Sequence, residues 1–284
     1  MKISMATNIP FEFFGEKEGL ELLKKTGFDT VDYSLHIPGA YERLLSSDYL
    51  EYAKNSRSLL EKMGMSCNQA HAGFKFEYGM EMNDSCPEYL YACRCIEYAS
   101  VLGAEDIVVH TIWVPNKEVD AVDYNIGFYK SLEPFCERFG IRIAVENAAG
   151  TKSVEQINRF CEALTPEHFS VCVDIGHINK DGYVPGELIR GVAPGRVRSL
   201  HIHDNHGQID EHTLPYLGNI DWNEVISALV DIGYCGDFTM EAGRFLRVFP
   251  NELKADAMKL YYSVARHLAE EFEKVKEARS AERN

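Results

Sequence analysis

The chain of 284 residues has no CxxC pair, no glycine-rich GxGxxG after its first apolar segment, and no Pro/Gly/Ser-rich or low-complexity stretch. It also lacks any run approaching the ~18 apolar residues that a membrane span requires. Each absence excludes something. Without CxxC spacing, the eight scattered cysteines (Cys67, Cys86, Cys93, Cys95, Cys136, Cys161, Cys172 and Cys235) read as reduced, mostly buried thiols, not as a disulfide framework or a zinc knuckle. The N-terminal MKISMATNIP has no signal-peptide core and reads directly as a strand, so a cytoplasmic protein with no membrane partner is expected. The missing linker predicts one domain over residues 1–284, closing in a polar helix end at about 268–284. Basic residues are also scarce: 29 Lys and Arg stand against 44 Asp and Glu, for a net charge of −15. A nucleic-acid partner normally meets a basic face, so this balance argues against one while leaving room for a local basic groove.

What is present is an alternation. Short apolar, β-rich runs fall at Ile3–Thr7, Thr30–Leu35, Met65–Ala70, Asp106–His110, Arg142–Glu146, Phe169–Asp174, Arg198–His203 and Asp237–Glu241, as strands buried on both faces should look. Stretches of helical period lie between them: Glu16–Thr26, Tyr49–Met63, Pro87–Leu102, Val122–Phe139, Ser153–Leu164, a short segment near Pro185–Gly191, Trp222–Ile232 and Asn251–Ala278. Glycine ends a helix before a strand at Gly27, Gly64, Gly103, Gly140 and Gly233, where a left-handed cap favours a residue without Cβ. One joint repeated five times implies one repeated unit. Eight such units in this length predict an α/β protein, a single (β/α)8 TIM barrel. An open doubly wound sheet is the alternative, and the absent GxGxxG after Ala6-Thr7-Asn8-Ile9-Pro10 argues against it.

A barrel places its chemistry at the C-terminal ends of its strands. The third strand runs into His71, the fourth ends at His110, the fifth at Glu146, and the sixth at Asp174 with His177 three residues on. The seventh carries His201 and His203, and the eighth ends at Glu241. Four of the ten histidines fall within HIHDNHGQIDEH at 201–212. Glu146, Asp174 and Glu241 converging on one mouth would repel and raise one another's pKa. A divalent cation removes that cost and takes carboxylate oxygen together with imidazole nitrogen. His168 and His267 read as surface histidines. His203 reads as structural, Asp204 and His206 as candidates for orienting His201, and His36 as a candidate substrate contact.

The ordered set His71, His110, VEN at 145–147, DxGH at 174–177, HIHDN at 201–205, DEH at 210–212 and Glu241 resembles the xylose isomerase-like barrel superfamily over essentially the whole chain. That superfamily includes sugar isomerases and epimerases and abasic-site endonucleases of the endonuclease IV type. The resemblance implies one divalent ion (Mn, Zn, Mg or Co, with no organic cofactor) on Glu146, Asp174, His201 and Glu241. It makes Glu146 and Glu241 the proton-transferring pair and turns His177 towards substrate oxygens. His71, His110, Trp113 and Arg244 complete the expected substrate-binding set, and a homo-oligomer is common in such families. In the endonuclease branch three zinc ions take nine ligands, and the matching positions here are His71, His110, Glu146, Asp174, His177, His201, Asp210, His212 and Glu241.

The expected function is therefore metal-dependent isomerisation or epimerisation of a sugar, sugar derivative or polyol. It would proceed by proton transfer next to a carbonyl through an enediolate that the metal stabilises. A phosphodiester hydrolase is the alternative, and a non-catalytic sugar-binding barrel is a third. Against the hydrolase, the loops after the strands (HIPGAYERLL, AGFKFEYGMEMND and TIWVPNKEVDAVD) offer few bases to a phosphate backbone.

Overall fold

In the computed structural model, residues 1–148 and 150–282 are described, so the last two residues of the expected polar helix end lie outside them. Eight parallel strands form one sheet: β1 (Ile3–Ala6), β2 (Thr30–Ser34), β3 (Ser66–His71), β4 (Asp106–His110), β5 (Arg142–Glu146), β6 (Phe169–Asp174), β7 (Val197–His201) and β8 (Phe238–Met240). Their order is β7-β6-β5-β4-β3-β2-β1-β8. The remaining seam is closed past the end of β7. Ile202 bridges Met240 there, and the Ile202 N–H donates to the Thr239 carbonyl at 2.9 Å. Every strand meets two neighbours and the sheet is a barrel.

The helices are α1 (Asn8–Phe14), α2 (Glu16–Thr26), α3 (Ala40–Leu45), α4 (Tyr49–Lys62), α5 (Pro87–Leu102), α6 (Ala121–Phe139), α7 (Val154–Ala163), α8 (Ile175–Lys180), α9 (Pro185–Gly191), α10 (Trp222–Asp231) and α11 (Asn251–Glu282). A 3-10 turn, Gly243–Val248, follows β8. Local chemistry sets their ends. Pro87 opens α5 at its first turn, where its missing N–H costs nothing. Ser153 and Gln156 close a reciprocal capping box on α7. Gly140, at φ 63°, ends α6 in the left-handed region that a β-carbon disfavours. None of α1, α3, α8 or the 3-10 turn was expected; each is too short to show a period of its own.

The apolar core fills the shell between strands and helices, with Phe28, Phe128, Tyr129, Phe169, Tyr261 and Phe272 all buried. Each such ring contributes on the order of 1.5–3 kcal/mol through burial. Six of the eight cysteines are buried and all eight are unbridged. The inside of the barrel is different. It holds a small apolar cluster of Val108, Ala144 and Cys172, alongside Ser4, Thr30, Asn68 and Thr239. Two register shifts, at Val31/Asp32 and Val171/Cys172, lie on the strands that carry this polar lining and the site above it. Among the described residues, no helix is long and apolar enough to cross a membrane.

Candidate metal centre

Parallel register brings the strand ends level. His110 pairs with Glu146 across β4 and β5, and Asp174 with His201 across β6 and β7. Side chains at these ends turn into the mouth and meet. The Nδ1 of His201 is the hub: it lies 3.4 Å from Glu146 Oε1, 3.4 Å from Glu241 Oε2 and 3.8 Å from Asp174 Oδ2. Glu146 Oε2 is 2.8 Å from His110 Nε2 and 3.3 Å from His71 Nε2. Its Oε1 is 3.4 Å from His177 Nδ1.

Proximity is not the same as satisfaction. Both oxygens of Glu146, the Nε2 of His71 and the Nδ1 of His201 are buried and lack a well-formed hydrogen bond. Orphaned buried polar atoms are costly, and here they converge from three strands. Donors about 2.1 Å from a cation sit roughly 3.0–3.4 Å apart. The separations around His201 lie at or slightly beyond that range, and overlapping triads such as His71, His201 and Glu241, or Glu146, Asp174 and His177, each bring three donor atoms within 4.8 Å, so the donor chemistry suits a divalent ion of mixed oxygen and nitrogen ligation.

Electrostatics agree. Burial pushes the Glu146 carboxyl upward, but the imidazoles of His110 and His201 outweigh it and hold it well below the usual carboxylate range. Asp174 is likewise depressed: burial opposes, and His177 and His203 prevail. Burial pulls the His177 imidazole down, and the Asp174, Asp210 and Glu146 carboxylates raise it well above its ordinary value. The cluster holds its negative charge ready and needs positive charge from protons or a cation.

A second cluster lies beside the first. One donor atom from each of His177, His203, Asp210 and His212 falls within 4.8 Å of the others. His212 Nε2 is 2.8 Å from Asp210 Oδ2, and its Nδ1 faces the Glu241 carbonyl at 3.0 Å. Burial lowers the His212 imidazole, while Glu241 and Asp210 raise it to about 9. His212 has a positive φ of 45°, a backbone strain that the loop tolerates in holding the ring here.

The expected residues are brought together, with differences at the edge. Glu146, Asp174, His201, Glu241, His71, His110, His177, Asp210 and His212 all lie in the two clusters. A cavity of about 290 Å³ opens above them, lined in part by His36, Phe74, His110, Glu241 and Arg244. Arg244 is exposed, and its Nη1 donates to the Asp210 carbonyl at 2.6 Å. Trp113 stands 64% exposed and is not among the cavity's lining residues.

Four residues depart from their sequence reading or escaped it. His203 is more than structural filling: its Nε2 lies 3.0 Å from Asp174 Oδ1, and its ring stacks on His212 at 4.0 Å. The glycine of DxGH follows from this, because a β-carbon on Gly176 would fall 1.9 Å from the His203 ring. Asp204 does not orient His201. It accepts the Tyr216 N–H at 3.0 Å and the Trp222 indole at 2.9 Å, and so staples the loop after β7. His206 is exposed and bonds Glu211. The group that meets the far side of His201 is Asp32, from β2, which the strand-end inspection passed over because it lies within its strand. An acid inside a run buried on both faces was the available signal.

A (β/α)8 barrel with clustered histidines and carboxylates at its C-terminal mouth defines the class. The xylose isomerase-like TIM barrel family matches residues 20–264, and the chain belongs to it. An uncharacterized protein of Methanocaldococcus jannaschii is 27% identical over 220 residues, covering 73% of this chain and 74% of that protein. Among solved structures, a D-tagatose 3-epimerase-like protein superposes with a TM-score of 0.74 at 22% identity, covering 99% of this chain and 100% of that one. The IOLI protein with a bound zinc atom gives 0.71 at 16% identity, covering 96% and 98%. At these identities the likeness establishes the fold.

Proposed function

We propose that the protein is a divalent-metal-dependent isomerase or epimerase of a sugar, sugar derivative or polyol. The observation that carries this reading is the pair Glu146 and Glu241. They reach the same imidazole nitrogen, at 3.4 Å each, from strands separated by β6 and β7. Two carboxylates on different sides of one small cavity suit removal of a proton at one face of a carbon and its return at another. If both act, the product is the epimer; if one acts alone, the hydrogen shifts between neighbouring carbons. The fold shared with the D-tagatose 3-epimerase-like protein supports the same chemistry.

Glu146, Asp174, His201 and Glu241 would hold the ion. When bound, it supplies Lewis-acid polarisation of carbonyl and hydroxyl oxygens. The chain's own residues do the rest. Glu146 and Glu241 move the proton, and His177 meets substrate oxygen through whichever ring nitrogen faces the cavity. Phe74, whose ring lies 4.8 Å from His36 and 4.6 Å from His110, walls one side. The cavity is of sugar size, at the lower end of the range for small-molecule sites.

One observation favours a second reading, a metal-dependent phosphodiester hydrolase of the endonuclease IV type. All nine donors matching its ligand positions lie in the mouth, and they extend over both clusters. The test is solvent exchange. In D2O, with Mn2+ or Co2+, ketoses such as tagatose, fructose and psicose should take up deuterium next to the carbonyl, and Glu146→Gln should not support it. No exchange with any sugar, together with metal-dependent cleavage of abasic DNA, would replace the first reading with the second.

A further inference from the structure

Beneath His201 lies a buried carboxylate that the proposed chemistry does not use. Asp32 is 0% exposed, on β2, and its Oδ2 is 3.1 Å from His201 Nε2. The Gln69 amide donates to the same oxygen at 3.2 Å. Among the described residues, no lysine or arginine pairs with Asp32, and its Oδ1 has no hydrogen-bond partner. A buried acid with one imidazole and one amide for company is poor design for stability. It needs another reason.

The placement of Gln69 suggests that reason. On β3 the register slips by one residue: Val31 pairs with Cys67, but Asp32 pairs with Gln69. The extra residue, Asn68, is thereby accommodated inside the barrel, where its amide donates to Thr239 Oγ1 at 3.0 Å and accepts from Ser4 Oγ at 2.6 Å. Thr239 donates in turn to Gln69 Oε1 at 3.4 Å. This hydrogen bond turns the Gln69 amide nitrogen towards Asp32. A bulge of this kind re-aims side chains, and here it builds a floor under one histidine.

We infer that Asp32, held by Gln69, is a positioning residue that fixes the His201 tautomer. An imidazole carrying one proton has one donor and one acceptor nitrogen. Nε2 faces the Asp32 carboxylate, which accepts, so the proton sits on Nε2 and is donated to Asp32; the Gln69 amide N–H beside it is directed to the same carboxylate. Nδ1 is left with its lone pair, facing Glu146, Glu241 and Asp174. The negative charge behind the ring also makes Nδ1 a stronger donor. Asp32 does not line the cavity, and its side-chain hydrogen bonds go to His201 and Gln69. This inference rests on His201 being a metal ligand.

The test measures metal binding, not turnover. Apo protein is titrated with Mn2+ or Zn2+ in competition with a chelator, for wild type, Asp32→Asn and Asp32→Ala, with folding followed by circular dichroism. Loss of a carboxylate behind a ligating histidine weakens binding by about 10–100-fold. Asp32→Ala should fall in that range and Asp32→Asn, which keeps an acceptor, nearer its lower end. Should either variant fail to fold, the wild type still decides: long-range 1H–15N spectra of the metal-free protein, taken at a pH where the ring carries one proton and with His201 assigned by its loss in His201→Gln, should place that proton on Nε2. Wild-type affinity in both variants, or a proton on Nδ1, overturns the inference. A wild type that binds no metal at all would instead remove the function reading on which it stands.

Discussion

Strands β4 and β5 carry an acid and a base at each of their ends, and the two pairs have opposite fates. At the N-terminal end Asp106 is level with Arg142; at the C-terminal end His110 is level with Glu146. The first pair is complete. Arg142 donates to both Asp106 oxygens, at 3.1 and 2.8 Å, and Ser170 adds a third bond at 2.7 Å. The second pair is close, at 2.8 Å, yet both Glu146 oxygens remain without a well-formed hydrogen bond. The same register, within the same two strands, makes a structural clamp at one end and an open cluster of candidate ligands at the other. Arginine's fork satisfies a carboxylate and keeps its proton. Imidazole can give its nitrogen to a metal, and four of them surround Glu146.

Substitutions can break this contrast. Glu146→Gln and Glu241→Gln should each lower turnover by roughly 10³-fold or more, with unchanged circular dichroism, in the deuterium-exchange assay. Near-normal turnover in both would remove the proton-transfer role. Asp106→Ala should do the reverse. Leaving Arg142 half-buried without its main partner should cost roughly 3 kcal/mol in urea unfolding, while metal affinity stays within error. If it weakened metal binding as much as Glu146→Gln, the two ends would not be separable.

Smaller effects sharpen the picture. Removing metal with a chelator should lower stability by about 3 kcal/mol relative to protein in metal at a hundred times its Kd. Scanning calorimetry would read this as a fall of several degrees, and the Glu146→Gln protein should show little of it. Arg244→Ala should act weakest. Arg244 sits at the rim of the cavity with one bond to the loop, so a rise in KM of about 3–10-fold with kcat held would fit a single exposed contact. A fall in kcat alone would place it nearer the chemistry.

Much of this could be read from the chain. Helix α5 and the segment Pro185–Gly191 have the bounds their prolines and glycines announce, and β4, β5 and β6 begin and end where their apolar runs do. The strand-end residues were legible because a barrel converts eight distant positions into one ring. The strand β7 stops at His201, earlier than the run Arg198–His203 suggests, because the seam to β8 is a single bridge at Ile202. Helices α1 and α8 were hidden by length: NIPFEFF, with Pro10 inside it, and IGHINK carry less than two turns of pattern each. The pairing of Asp32 with His201, and of Gln69 with Thr239, was hidden for another reason. Their partners come from β7 and β8, and the register slip that seats them has no signature along one strand.

The central claim is that Glu146, Asp174, His201 and Glu241 hold a divalent cation. The most direct measurement is elemental analysis of protein purified without added metal, paired with a structure of the same preparation. The account predicts a tightly held ion, near one per chain, within about 2.3 Å of all four residues. Protein that carries no metal, takes none up on titration with Mn2+, Zn2+, Mg2+ or Co2+, and keeps the mouth free of any cation would contradict it.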